Sequence, residues 1–207
     1  MKSLTLQRIA AVDVFRALTM FLMLFVNDIP GLKNVPHWLM HARMDEDMMG
    51  FSDTIFPAFL FCMGMSVSFA IQNRYKKGDN TLQVVAHIFW RTVALIAMGL
   101  FSLNSGGIEG GLSHPWFSIL MVIGFFLTWG IYPKEVGTKK VLFTAMKTVG
   151  VLLLAFLVIY KDMNGKPFQI SWWGILGLIG WTYAVCAGIY LFTRENLRKN
   201  AIAWFVV

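Results

Sequence analysis

The chain has 207 residues, of which 57% are hydrophobic and only 14% charged, with a mean hydropathy of +0.62. A soluble domain of this size needs roughly 25% charged residues to cover its surface, so the solvent for much of this chain is lipid. The formal charge of +7 does not point to nucleic acid, because the basic residues sit in short clusters between apolar runs and form no continuous basic face.

Taken in chain order, the sequence predicts an all-α, polytopic transmembrane helix bundle: six complete spans and the start of a seventh, in a single transmembrane domain over 1–207. The first span, 10–29, carries Asp13 and Arg16, and no small-residue cleavage site follows it, so it reads as a retained helix and not a removable signal peptide. Asp13 and Arg16 are three apart on one helical face and partly neutralise each other. An ion pair that fixes helix packing accounts for them as well as a functional role does. The span ends in Asn27 and Asp28. The following loop, 30–51, holds His37, His41 and the acidic run Asp45, Glu46 and Asp47, which reads as solvated surface.

Asp53 opens the second span, 52–72, and Pro57 is placed to bend it. Cys62 here and Cys186 in the sixth span lie within apolar runs, where two isolated thiols make neither a disulfide framework nor a metal site. The third span, 84–103, carries His87 and Arg91 four residues apart. The fourth covers 116–132. The fifth, 141–160, carries Lys147, which either snorkels to the nearer interface or lines a pocket. Gly180, Ala184 and Gly188 lie four apart in the sixth span, 171–193, as do Gly64 and Ser68 in the second; such small-residue faces serve internal packing or a homo-oligomer. A seventh apolar run starts at Ala201 and breaks off at Val207, which predicts that the natural protein continues as a larger bundle.

Lysines and arginines set the orientation. Eleven lie on one side (Lys2, Arg8, Arg74, Lys76, Lys77, Lys134, Lys139, Lys140, Arg194, Arg198, Lys199) and four on the other (Lys33, Arg43, Lys161, Lys166). By the positive-inside rule the N-terminus is cytoplasmic, and loops 30–51, 104–115 and 161–170 face outward. An ionisable group inside a span costs at least about 2.5–3.5 kcal/mol on insertion scales, so each one needs a reason. Arg16, His87, Arg91 and Lys147 suggest a cationic pocket open to the cytoplasm and suited to a phosphate-bearing ligand. On the outer side, Asn27, His41 and Asp53 put an imidazole between two polar partners, a pattern for a general base with a group to orient it.

At these residues a resemblance appears. RIAAVDVFRALTMFLMLFVND, followed by HARMDEDMMGFSDTIFPAFLFCMGMS, resembles the heparan-alpha-glucosaminide N-acetyltransferase family and its bacterial relatives of the DUF5009 type. The matching positions are Arg8, Asp13, Arg16, Val26, Asn27, His41, Ala42, Asp53, Phe56, Pro57, Phe59, Phe61 and Gly64. The segment from Trp172 to Trp181 resembles the family's Trp-Trp-Gly-Ile-Leu-Gly-Leu-Ile-Gly-Trp stretch. Departures are Ala17 in place of a glycine, and Met44, Asp45 and Glu46 in place of Trp-Asn-Gly.

The resemblance implies transmembrane acyl transfer, with acetyl-CoA as the donor from the cytoplasm and a sugar amine as the acceptor on the far side of a bacterial inner membrane. His41 would then be the catalytic histidine, either deprotonating the acceptor or carrying the acetyl group itself, with Asn27 and Asp53 as its catalytic partners. Asp13 and Arg16 would be either structural or turned toward the donor, and the inner cationic cluster with His87 and Arg91 agrees with an entering CoA. A membrane transporter and a non-catalytic membrane assembly protein are the alternatives. A transporter often shows internal repeats, and the two halves of this chain show none.

Overall fold

The computed structural model describes residues 10–43, 45–105, 114–132, 138–159, 168–170, 174–194 and 196–206. Lys2, Arg8, Met44, Lys134, Lys161, Lys166 and Trp172, all used above, lie outside the described residues. Within them there are seven α-helices and no strand: α1 (Ala10–Asp28), α2 (Phe51–Lys76), α3 (Thr81–Ser105), α4 (His114–Trp129), α5 (Thr138–Ile159), α6 (Ile175–Thr193) and α7 (Leu197–Val206).

Five of these, α1, α2, α3, α5 and α6, are long and apolar enough to cross a membrane. Their outer faces carry exposed large side chains such as Leu24, Phe21, Leu152 and Phe192, an arrangement stable only against hydrocarbon. The protein is an all-α integral membrane bundle. The fourth apolar run is shorter than the expected 116–132. At 16 residues α4 spans roughly 24 Å, less than a full hydrocarbon core. It stops at Gly130, whose N–H still bonds to the Phe126 carbonyl.

Other boundaries differ because hydropathy marks where a helix is greasy, not where its hydrogen bonds end. The apolar run of the third span begins at 84, but α3 starts at Thr81 because Asn80 caps it. The Asn80 side chain accepts the Gln83 N–H at 3.0 Å, and the Gln83 side chain accepts the Asn80 N–H at 2.9 Å. In the same way α2 runs four residues past 72 to Lys76.

The chain forms two compact units, residues 1–92 with 181–207, and residues 93–180. In the first, Val26, Ile29 and Ile55 are buried together, with Leu22, Leu39, Met40 and Phe51 packed against them. This joins the end of α1 to the start of α2. Further along, the Cys62 thiol donates to the Val12 carbonyl at 3.6 Å, and Gly64 faces the Cys186 sulfur on α6.

In the second unit Phe101, Phe117, Met121, Leu154 and Leu157 form the core, and Phe101 meets Phe125 and Phe168 edge-on. The Asn104 side chain brackets Gln169, donating to its carbonyl at 2.9 Å and accepting its N–H at 2.8 Å. Gly99 permits the closest helix approach there. A Cβ on Gly99 would sit 2.5 Å from the Gly177 backbone nitrogen. Gly99→Ala is expected to lower the melting temperature in detergent by several degrees, since overpacking against backbone costs about 1–3 kcal/mol. Gly188, around which a Cβ would meet nothing within 4 Å, should accept alanine without loss. Equal melting of the two variants would remove Gly99 as a packing determinant.

Candidate active site

The site is built by the loop between α1 and α2. After α1 a 3-10 turn at Ile29–Gly31 closes the helix, and Asn34 takes the left-handed conformation, with φ 59°. A second 3-10 turn covers His37–Leu39. The loop is then tied to the start of α2, where the Ser52 hydroxyl donates to the Leu39 carbonyl at 2.6 Å. Gly50 is the residue before α2, and a Cβ there would overlap the Met40 carbonyl, so the close return of the loop requires glycine.

Asp53 is where these constraints converge. It is the third residue of α2, and its Oδ2 accepts the Gly50 N–H at 2.9 Å, satisfying a donor that the first helical turn leaves without a partner. The same oxygen accepts the Ala42 N–H at 3.0 Å, which fixes the residue next to His41. Its Oδ1 lies 2.7 Å from Nδ1 of His41. A carboxylate can only accept, so Nδ1 carries a proton, and in the neutral ring the lone pair is on Nε2. The His41 side chain is 54% exposed and Nε2 has no partner among the described residues. The arrangement is that of an oriented base or nucleophile: an imidazole held at one nitrogen and open at the other.

A second histidine–carboxylate contact lies in the same loop. Nε2 of His37 is 3.2 Å from Oε2 of Glu46, and that oxygen also accepts the Arg43 N–H at 3.3 Å. Glu46 therefore departs from the expected solvated acidic run. Its carboxylate folds back because a bare loop N–H and an imidazole are both within its reach. Asn27, expected beside His41, is exposed at the end of α1 and makes no hydrogen bond to it.

The basic residues expected to form one pocket are divided. Arg16 is bonded to Asp13 at 3.2 Å within α1, so its charge is already answered. Arg91 stacks over the Tyr183 ring of α6 at 5.0 Å and has no carboxylate partner among the described residues. His87, one turn away on α3, is within electrostatic reach of Arg74, Asp79 and Arg91. Lys147 belongs to the other unit, where its ammonium lies 5.4 Å from the Tyr132 ring centre.

Residues 8–206 match the family model described as "Domain of unknown function (DUF5009)". The chain belongs to the DUF5009 family. Over 107 residues, about half of the chain (51%), it is 32% identical to the heparan-alpha-glucosaminide N-acetyltransferase of Mus musculus and 31% identical to that of Homo sapiens. The matched stretch is 15% of the length of each of those relatives. No solved structure matches the chain.

His41, Asn27 and Asp53 all lie within the family match. Two contributors to the site escaped the sequence reading. The Gly50–Phe51–Ser52–Asp53 stretch is a helix-start signal, an acid three residues after a capping position, and it explains the glycine and the second role of the aspartate. The Ala42 N–H carries no such signal, since a backbone donor is the same at every residue but proline.

Proposed function

We propose that this DUF5009 protein is a membrane acetyltransferase that moves an acetyl group from acetyl-CoA to the amine of an amino sugar, with His41 as general base. The observation that carries this reading is the 2.7 Å contact between His41 Nδ1 and Asp53 Oδ1, which leaves Nε2 open. The printed name of the mouse and human relatives, an N-acetyltransferase, supports the reaction class. The excess of basic residues on one side supports a cytoplasmic N-terminus in a bacterial inner membrane, with the donor on that side and the acceptor, a glycan amino sugar, on the other.

In this mechanism Nε2 of His41 takes a proton from the acceptor amine as its nitrogen attacks the thioester carbonyl. The C–S bond then breaks, and the thiolate leaving group recovers that proton. Asp53 holds the Nδ1 proton in place and stabilises the imidazolium that forms. Acetyl-CoA brings phosphates, and Arg91, backed by Tyr183 and unopposed by a carboxylate among the described residues, fits an anionic ligand. His87 lies one turn along the same helix. Arg16, held by Asp13, serves packing in α1.

The test is transfer of labelled acetyl from acetyl-CoA to glucosamine and related amines by protein in sealed vesicles. Protein incubated with labelled acetyl-CoA and no acceptor should gain no stable label. An acetylated His41 would make it the nucleophile instead. Arg91→Gln should raise KM for acetyl-CoA about tenfold, the worth of one charge-assisted hydrogen bond, with a smaller change in kcat. An unchanged KM would take Arg91 out of the donor site.

A further inference from the structure

The loop that carries His41 holds a second histidine, and the two rings are bound in opposite ways. Asp53 meets His41 at Nδ1, whereas Glu46 meets His37 at Nε2, with 3.2 Å between that nitrogen and Oε2. A carboxylate only accepts, so the His37 hydrogen in this contact sits on Nε2, the nitrogen that stays open in His41. His37 therefore does not duplicate the base.

What the pair does instead follows from where its bonds fall along the chain. Oε2 of Glu46 also accepts the Arg43 N–H at 3.3 Å, and the Arg43 carbonyl accepts the Glu46 N–H at 3.1 Å. These two bonds close a turn after His41 and direct the carboxylate back to His37. One oxygen thereby joins a residue before the base to a residue after it. Asp53 repeats the pattern one step inward, taking the His41 imidazole and the Ala42 N–H. The consecutive N–H groups of Ala42 and Arg43 are thus each held by a different carboxylate.

This bridge is poorly placed to stabilise the fold. The His37 side chain is 60% exposed and that of Glu46 30%, and exposed ion pairs contribute little to stability. Its effect falls on geometry, where displacing a reacting group by about 1 Å can cost about 10²-fold in rate. We propose that Glu46 is a positioning residue for acetyl transfer: with His37 it staples the loop on both sides of His41 and so fixes where the open Nε2 stands. This rests on the reading of His41 as the general base.

The test combines steady-state transfer with nitrogen NMR of histidine-labelled protein in detergent, at a pH where the His41 ring is neutral. Glu46→Ala should lower kcat about tenfold, with KM for acetyl-CoA and for the amine changed by less than about twofold and the melting temperature nearly unchanged. Glu46→Gln keeps an oxygen that can accept both N–H groups and should recover most of the rate. The double variant Glu46→Ala/His37→Ala should be no slower than Glu46→Ala, because both substitutions cut the same bridge. In the spectra, His41 should hold its hydrogen on Nδ1 in the unaltered chain and in Glu46→Gln, and should mix both tautomers in Glu46→Ala. A raised KM for the amine at unchanged kcat would overturn the proposal and make Glu46 a binding group for the acceptor. Full rate in Glu46→Ala, a Glu46→Gln as slow as Glu46→Ala, losses that multiply in the double variant, or a single His41 tautomer in Glu46→Ala would overturn it too. If the unaltered chain transfers no acetyl group, the acetyl-transfer reading fails instead, and the His41 spectra, which need no substrate, still decide whether Glu46 positions the ring.

Discussion

Replacing His41 with alanine should lower kcat for acetyl transfer by about 10²–10⁴-fold, the usual contribution of a positioned base, while changing acetyl-CoA affinity by less than about twofold. The two effects separate because the imidazole is not part of the packing. Its side chain is 54% exposed, and the core beneath the loop is made by Val26, Ile29 and Ile55. After the substitution Asp53 still accepts the Ala42 and Gly50 N–H groups, so the start of α2 and the return of the loop persist. The measurement is single-turnover transfer alongside equilibrium binding of acetyl-CoA. Full transfer by His41→Ala would remove the base from the mechanism. Loss of donor binding together with transfer would make His41 a structural residue.

Much of this architecture was legible in the residues because lipid imposes a severe filter. Six runs of apolar residues, interrupted by basic clusters, correspond to α1 through α6, and only the helix ends shifted. The ends shifted for local reasons, the reciprocal Asn80–Gln83 cap being the clearest, that a hydropathy window averages away. The site was half legible. His41 and Asp53 are twelve residues apart, and pairing them required only that the loop return to α2. Asn27 was placed with them by the same logic, yet it makes no hydrogen bond to the imidazole, because a residue one position along a helix points about 100° away. Its neighbour Val26 is the one turned into the core. The inner cationic pocket was least legible. Sequence shows that four basic residues lie at intramembrane positions and that Asp13 can answer Arg16 within one turn, but not that Lys147 has an aromatic neighbour in another unit.

Asp53 carries two roles, and two substitutions should pull them apart. Asp53→Asn keeps an oxygen that can accept the Gly50 and Ala42 N–H groups, so the loop and the start of α2 should hold and the melting temperature should change little. At the other position an amide N–H₂ now faces Nδ1. It donates where the carboxylate accepted, moves the imidazole proton to Nε2 and removes the lone pair that the acceptor amine needs. Transfer should then fall about as far as in His41→Ala, by roughly 10²–10⁴-fold, without any loss of folded protein. Asp53→Ala removes both oxygens. The Gly50 and Ala42 N–H groups lose their acceptor and the first turn of α2 loses its cap, so this variant should lose transfer and also melt lower than Asp53→Asn. The pair of measurements is transfer rate and melting temperature on both proteins. If Asp53→Asn transferred acetyl at the unaltered rate, the carboxylate would be a helix cap only, and the 2.7 Å contact with His41 would have no part in the chemistry. If both variants melted alike and well below the unaltered chain, the negative charge itself would hold the loop, since asparagine preserves the acceptor geometry but not the charge.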